Sequence, residues 1–338
     1  MLKIGKQEFC EKPVFLAPME DVTDPSFRYM CKKFGADLMF TEFISADGLI
    51  REARKIVQKL KIYDYEHPVG IQIYGHIPEA MEKAALLINN SDADILDINF
   101  GCPVKKIANR GAGAGMLRNL PLMKEITERV VNNSSLPVTV KTRLGWDIDT
   151  ININETSLLL QDCGIQALTI HARTKTQMYK GQADWSHIGS IKKNNKIKIP
   201  IIGNGDVTNG KSAAEKFEKY NVDAIMIGRA AIGKPWIFKE IKHYLKTGEE
   251  LPKPSVKQLV EYALEHLEKS IEFKENQKAI YEMRRHFALY FKCIPNFKET
   301  RLKLLTSQTY EEIHSILDFI YNNFGHIGPN DFLPENQI

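Results

Sequence analysis

The chain has 338 residues, of which 43% are hydrophobic and 26% are charged. This composition is typical of a globular protein and excludes a largely disordered chain. With 46 basic and 42 acidic side chains, the formal net charge is +4, which permits a nucleic-acid partner without arguing for one. The apolar runs are far shorter than the roughly 20 residues of a membrane span, and the N-terminus lacks a signal-peptide pattern. We therefore expect a soluble, cytoplasmic protein.

Eight short apolar or β-branched runs recur in the first 245 residues, each followed by a longer stretch with helical periodicity. They cover residues 14–17, 38–41, 69–74, 95–99, 138–142, 167–171, 199–203 and 224–228. Strands that alternate with helices indicate parallel βαβ units. Eight such units in about 245 residues predict an α/β fold, a closed (β/α)8 TIM barrel. A doubly wound open sheet is the alternative.

The pattern changes after the eighth run. Residues 246–254 hold one glycine and two prolines among polar residues, which indicates a linker. Helical periodicity without strand signals follows at 255–272, 276–291 and 310–323, and Ser255 is a suitable helix cap. We therefore expect a catalytic barrel at 1–245, a linker at 246–254 and a small all-α region at 255–338.

The predicted strands end in polar, cationic and glycine residues, and the active site of a barrel of this kind lies at those ends. Glycine-rich turns at 203–206 and 228–233 follow strands seven and eight, where backbone N–H groups typically bind phosphate. Arg229 adds a cation to the second turn. These turns predict a phosphate site.

Lys141 ends the fifth run, where its stem would be buried and its charge would need an anion. A reduced flavin would supply that anion, and the amide of Gln72 suits the uracil-like edge of such a ring. An ion pair between Lys141 and Glu42 is the alternative.

The five cysteines are Cys10, Cys31, Cys102, Cys163 and Cys293. None are spaced as a zinc knuckle or a redox pair, so we predict neither a metal site nor a disulfide framework. Cys102 differs from the others because the glycine before it and the proline after it constrain a turn at a strand end.

Taken together, these segments resemble the tRNA-dihydrouridine synthases, most closely the bacterial B-type branch. The matching segments are 17–19 with 23–24, Gln72, 99–106, 141–146, 171–174 with 181–185, 203–206, 228–229 with 235–236, and in the C-terminal region 283–286, Tyr290, Lys292, Pro295 and Arg301. One departure is Cys293, because the family pattern places a glycine after the lysine.

The resemblance implies FMN as cofactor, NADPH as electron donor and tRNA as substrate, and it implies no protein partner and no membrane. In the implied reaction the C5–C6 double bond of a D-loop uridine is reduced, with a hydride from flavin N5 to C6 and a proton from Cys102 to C5. A thiol suits this role, because an unperturbed pKa of ~8.5 leaves it protonated at neutral pH. The implied flavin contacts are Pro18, Met19, Glu20, Gln72, Lys141 and His171, with Asn204, Gly205, Asp206, Gly228 and Arg229 around the phosphate.

The tRNA contacts expected from the resemblance are Asn99, Arg143, Arg173, Arg284, Arg285, Lys292 and Arg301, with Arg143 and Arg173 at the mouth of the pocket. Independent support comes from residues 278–303, which hold seven basic and two acidic side chains with aromatic residues between them. Basic side chains position phosphates, and we expect most of the aromatic residues to form the helical core.

Two rival functions remain open. An FMN-dependent barrel oxidoreductase for a small molecule, of the dihydroorotate or enone type, would share Lys141 and the phosphate turns, but it would not need a basic tail. A non-catalytic protein that binds RNA or senses flavin would not need Cys102 in its constrained turn.

Overall fold

The computed structural model describes residues 1–333 and, within that range, all side chains except those of Arg54 and Lys55. An antiparallel hairpin of β1 (Leu2–Ile4) and β2 (Gln7–Phe9) precedes the main sheet. The main sheet contains β3 (Val14–Leu16), β4 (Met39–Phe40), β5 (Ile44–Ser45), β6 (Val69–Tyr74), β7 (Ile95–Phe100), β8 (Val138–Arg143), β9 (Ala167–His171), β10 (Ile201–Asn204) and β11 (Ala224–Ile227).

The main sheet is parallel and runs in the order β3, β11, β10, β9, β8, β7, β6, β4, with β5 paired to β6 beside that path. A parallel bridge between Phe15 and Leu38 joins the two ends, and the N–H of Leu16 donates to the carbonyl of Leu38 at 2.8 Å. The sheet therefore closes on itself. The predicted TIM barrel is confirmed, and each of the eight predicted runs contains one barrel strand.

Helices cover the outside of the barrel because each presents one apolar face to the strands. They are α1 (Pro25–Lys33), α2 (Ala46–Ile50), α3 (Arg54–Val57), α4 (Pro78–Ile88), α5 (Lys105–Ala108), α6 (Leu120–Asn133), α7 (Ile153–Asp162), α8 (Ser186–Lys193), α9 (Gly210–Tyr220) and α10 (Ile237–Thr247), with 3-10 turns at Gln58–Leu60, Asp64–Glu66, Gly113–Arg118 and Arg229–Ala231. Capping residues mark where several of these helices begin. The Asp24 carboxylate, for example, accepts from the N–H of Phe27 at 2.9 Å, and Pro25 occupies the first turn.

Four more helices follow: α11 (Val256–Phe273), α12 (Asn276–Tyr290), α13 (Lys298–Thr306) and α14 (Tyr310–Phe324). Ser255 caps α11 as expected, whereas α13 was not predicted because its apolar residues do not follow a helical stripe. Trp236 and Phe34 of the barrel belong to the same hydrophobic core as these helices. The three-part division of the chain stays a prediction, and its last five residues, 334–338, lie outside the described range.

The C-terminal helices dock beside β3. The Lys274 ammonium pairs with the carboxylate of Asp24, and the Arg285 guanidinium donates to the backbone carbonyl of Asp21. Within residues 1–333, no helix combines the length and the apolar character that a bilayer crossing requires.

Candidate active site

The carboxyl ends of the barrel strands surround a cavity of about 720 Å³. Cys102, Asn99 and Arg143 line this cavity. So do all of the residues that the resemblance assigns to the flavin, which are Pro18, Met19, Glu20, Gln72, Lys141, His171, Asn204, Gly205, Asp206, Gly228 and Arg229. Residues from seven barrel strands and their following loops thus meet at one place, although no two of these segments are adjacent in sequence.

The backbone turn that carries Cys102 is held by the side chain of Asn99. The Asn99 carboxamide oxygen accepts from the N–H groups of Gly101 at 2.9 Å and Cys102 at 2.8 Å. The Asn99 amide in turn donates to Gln72 Oε1 at 2.8 Å. Cys102 is only 7% exposed, and burial raises the pKa of its thiol. The turn therefore presents a protonated thiol to the cavity at neutral pH.

A buried carboxyl group, Asp97, lies behind this turn and was not anticipated. Its two oxygens accept from Gln72 Nε2 at 2.6 Å and from Thr139 Oγ1 at 2.5 Å. Burial raises the pKa of Asp97 to about 6, against the lowering effect of these hydrogen bonds and of Lys141. No signal in the sequence marks Asp97, because all six residues of β7 are buried and the strand shows no alternation.

The Lys141 side chain is half-buried and lines the cavity. Its Nζ donates to Asn204 Oδ1 at 3.2 Å, and Asn204 Nδ2 donates to the carbonyl of Met226 at 2.8 Å. Burial, reinforced by nearby Arg143, lowers the pKa of Lys141 to about 8. Within residues 1–333, no carboxylate lies within 4.0 Å of this ammonium, and Glu42 pairs with Lys59 at 3.4 Å instead. The alternative of a Lys141–Glu42 ion pair is therefore wrong.

Arg143 and Arg173 are buried rather than open at the pocket mouth, although Arg143 lines the cavity, and their contact with tRNA stays a prediction. Each residue is 2% exposed. Arg143 donates to the carbonyls of Gly101, Thr174 and Met178 at 2.8–2.9 Å. Arg173 donates to both oxygens of Asp206 at 2.8 and 2.6 Å. These guanidinium groups hold the loops around the site, because most of their hydrogen bonds go to backbone carbonyls and to the Asp206 carboxylate.

The two glycine-rich turns are shaped by the backbone. Gly205 has φ +125°, and a Cβ there would lie 2.9 Å from the Ala183 side chain. The Arg229 guanidinium stacks 4.9 Å from the ring centre of Tyr179 and lies 3.6 Å from Asp206. Tyr179, 47% exposed at the cavity, was not anticipated, because it falls in a long loop without periodicity. The half-exposed Arg229 remains the cation available at this turn.

His171 and Glu20 complete the lining. His171 is 7% exposed, and burial together with the neighbouring cations, Arg143 first, lowers the pKa of its imidazole well below the usual value. It is therefore neutral at pH 7. Glu20 lies at the rim, where its carboxylate accepts from Lys59 Nζ at 2.6 Å.

The predicted tRNA contacts in the C-terminal helices lie outside the cavity. Lys292 and Arg285 are exposed, and Arg301 is half-buried. Arg284 donates to the carbonyl of Ser307 at 2.8 Å, so it also ties α12 to the end of α13. The aromatic residues are mostly core, as expected: Phe287, Tyr290, Phe291 and Phe297 are buried, whereas Tyr281 is 48% exposed.

A closed barrel whose strand ends present a neutral thiol and a half-buried ammonium to one cavity is typical of an enzyme. The model of the dihydrouridine synthase (Dus) family matches residues 15–321. The chain therefore belongs to the dihydrouridine synthase family, and the predicted enzyme class, a flavin-dependent oxidoreductase, is confirmed with that membership.

Similar proteins agree with this assignment. A probable tRNA-dihydrouridine synthase of Rickettsia bellii is 40% identical over 302 residues, which is 89% of this chain and 92% of that protein. The tRNA-dihydrouridine synthase B of Pseudomonas aeruginosa is 39% identical over 289 residues, which is 85% of this chain and 86% of that protein. The predicted B-type branch is consistent with the second match.

Two solved structures share the barrel. A 2-naphthoyl-CoA reductase complex aligns with a TM-score of 0.55 and 12% identity over 72% of this chain and 51% of that one. A morphinone reductase variant in complex with tetrahydroNAD aligns with a TM-score of 0.50 and 12% identity over 72% of this chain and 89% of that one. At this identity the likeness shows the fold alone.

Proposed function

We propose that this chain reduces uridine to dihydrouridine in the D-loop of tRNA, with FMN as its flavin and NADPH as electron donor, in the cytoplasm. The observation that carries the proposal is the presence on one cavity of a half-buried cation, Lys141, which has no carboxylate partner within residues 1–333, and of a buried thiol, Cys102. A rival small-molecule activity would share the cation, but it gives no reason for the basic side chains on the C-terminal helices.

The charged and polar side chains of the cavity suit the ring and the phosphate of FMN. Lys141 would lie against the N1 and C2 carbonyl region of the ring, which carries negative charge when the flavin is reduced. Gln72 keeps one amide hydrogen and one lone pair beyond its bonds to Asp97 and Asn99, so it can still contact the polar edge of the ring. Arg229 and the backbone N–H groups of its helical turn would hold the phosphate.

When bound, the flavin supplies a hydride to C6 of the uracil ring. The chain supplies the matching proton, and Cys102 is the donor we assign to C5. Its raised pKa keeps the proton on the sulfur until negative charge develops on the base. Asn99 fixes the backbone that carries the sulfur, which makes Asn99 a positioning residue in this account.

The target uridine is stacked inside folded RNA, so it must be flipped out to reach a cavity at the barrel mouth. Lys292 and Arg285 would contact tRNA phosphates on the side of the C-terminal helices. The phosphate contacts predicted for Arg143 and Arg173 have less support, because both side chains are buried and bonded to neighbouring loops.

The direct test is reduction of an unmodified tRNA transcript by the purified protein with FMN and NADPH. Mass spectrometry of the digested tRNA should show uridine that has gained two hydrogen atoms, confined to the D-loop fragment. A protein that oxidises NADPH in the presence of dihydroorotate or an enone, but leaves the transcript unchanged, would refute the proposal in favour of the small-molecule activity.

A further inference from the structure

A cluster of basic side chains surrounds Trp146 on the rim of the barrel. The guanidinium carbon of Arg118 lies 3.8 Å from the centre of the indole ring, and the ammonium of Lys175 lies 4.0 Å from it. Burial lowers the pKa of Lys175, and the nearby charges of Arg118 and Lys105 lower it further. We call Lys105, Arg118 and Lys175 with Trp146 the rim cluster.

The rim cluster has no internal counter-charge. Within residues 1–333, no carboxylate lies within 4.0 Å of the charged groups of Lys105, Arg118 or Lys175. The nearest acidic residue in sequence, Asp147, is engaged with the N–H and hydroxyl of Thr150 at 2.9 and 2.6 Å. Cations held together at a partly exposed site without an anion repel one another, so a negatively charged partner would be bound favourably there.

The rim cluster lies beside the mouth of the cavity. Lys105 directly follows Val104, which lines the cavity and is 46% exposed. Arg118 ends the turn after β7, Trp146 follows β8, and Lys175 follows β9. In the barrel order β8 is four strands from β3, so the cluster lies across the cavity mouth from the C-terminal helices, which dock beside β3.

We infer that the rim cluster is a second binding site for the phosphate backbone of the RNA substrate, opposite the C-terminal helices. This inference rests on the proposed function and adds to it that the RNA is held on both sides of the flipped base. The site reads backbone rather than bases, because Arg118 and Lys175 lie against the indole and leave less of it for stacking. Loss of its charge should therefore affect binding independently of base sequence.

The test compares two double variants of the flavin-loaded, full-length protein. Arg118→Gln with Lys175→Gln removes the two cations of the cluster that lie over the Trp146 ring. Lys196→Gln with Lys198→Gln removes two exposed cations from the loop before β10, at the opposite end of the barrel. Affinity for an unmodified tRNA transcript is measured over a series of salt concentrations, and flavin absorbance verifies that each variant is folded.

We expect the cluster variant to bind tRNA roughly tenfold more weakly at low salt, with the salt slope reduced by about 1.8, since each duplex phosphate contact contributes about 0.9. Its KM for tRNA should rise while the rate at saturating tRNA stays near wild type, and Arg118→Lys should retain the wild-type slope. If the cluster variant matches the Lys196 and Lys198 control, the inference is overturned while the proposed function stands. If the wild-type protein neither binds nor reduces tRNA, both fall together.

Discussion

The carboxamide oxygen of Asn99 accepts the backbone N–H of Cys102 at 2.8 Å, so one side chain determines where the thiol points. The same oxygen accepts from Gly101, and the Asn99 amide is oriented by Gln72. The geometry of the proton donor therefore depends on Asn99, which the family resemblance assigns to tRNA contact.

Asn99→Ala should slow proton delivery without emptying the cavity of flavin. The two N–H groups of the turn lose their acceptor, so the thiol samples other positions, and a displacement of about 1 Å can cost on the order of 100-fold in rate. Rapid mixing of the reduced protein with tRNA measures this step. Asn194→Ala is the matched control, because Asn194 Oδ1 also accepts a backbone N–H, that of Lys196 at 3.0 Å, in the loop before β10, and Asn194 is absent from the cavity lining. A similar slowing in both variants would count against the positioning role.

Cys102→Ala should separate hydride transfer from proton transfer. The variant should bind flavin and be reduced by NADPH as wild type, since other strands supply those contacts, while reoxidation by tRNA slows by ~10²–10⁴-fold, the usual effect of losing a general acid. Reoxidation by oxygen needs no proton at uracil C5 and should stay near the wild-type rate. A variant that lost its flavin would show that Cys102 is a packing residue. Normal turnover of tRNA would move the proton donor elsewhere.

Lys141→Met should weaken FMN binding and make the bound flavin harder to reduce. The methionine keeps most of the apolar stem but removes the half-buried cation that lines the cavity. Flavin content after purification and the reduction potential of the bound flavin measure the two effects. Lys192→Met serves as control, because Lys192 pairs with Asp223 at 2.7 Å and is absent from the cavity lining. Equal flavin content and potential in wild type and Lys141→Met would refute the assignment.

Stability should depend on pH through the buried histidines of the helical region. Burial lowers the pKa of His266 to about 4, and His286, 4.4 Å away between ring centres, is also shifted well below its usual value. In the unfolded chain the histidines have a pKa near 6.5, so above pH 6.5 their contribution to the free energy of unfolding is complete. As the pH falls from 6.5 toward the pKa of the folded state, each histidine loses this contribution, by about 1.4 kcal/mol at one pH unit below 6.5. Asp97 has the opposite effect on the pH dependence of stability. Because its pKa is raised to about 6, its contribution to stability is lost as the pH rises through that value.

The histidine contribution is therefore measured as a difference between proteins. Denaturant unfolding at pH 7.5 and 5.5 should show a smaller loss of stability for His266→Gln than for wild type, and no such change for His326→Gln, which replaces an exposed histidine. An identical pH dependence in wild type and His266→Gln would contradict the argument.

Much of the barrel was predictable because its strands are short apolar runs with helices between them. The residues at strand ends were also predictable as a group, since parallel strands bring their carboxyl ends to one rim. The hairpin of β1 and β2 was not, because strands of three residues carry too little periodicity. Helix α13 was missed because its apolar residues, Leu302, Leu304 and Leu305, do not follow one helical stripe.

The roles of individual polar residues were harder to predict. Arg143 and Arg173 have the sequence context of residues at a rim. The carbonyls and the carboxylate that accept their hydrogen bonds come from other loops, so only the folded chain shows that both side chains are buried. The role of Asp97 could not be predicted because its strand is buried on both faces and shows no alternation. Its partners, Gln72 and Thr139, come from neighbouring strands and are identified only in the folded chain.

The central claim is that this chain makes dihydrouridine in tRNA with Cys102 as proton donor. The most direct measurement is mass spectrometry of tRNA from cells that lack the gene, carry the wild-type gene, or carry Cys102→Ala. The account predicts that particular D-loop dihydrouridines vanish in the deletion, return with the wild-type gene and stay low with Cys102→Ala at equal protein level. Unchanged dihydrouridine at every position in the deletion, or full restoration by Cys102→Ala, would contradict it.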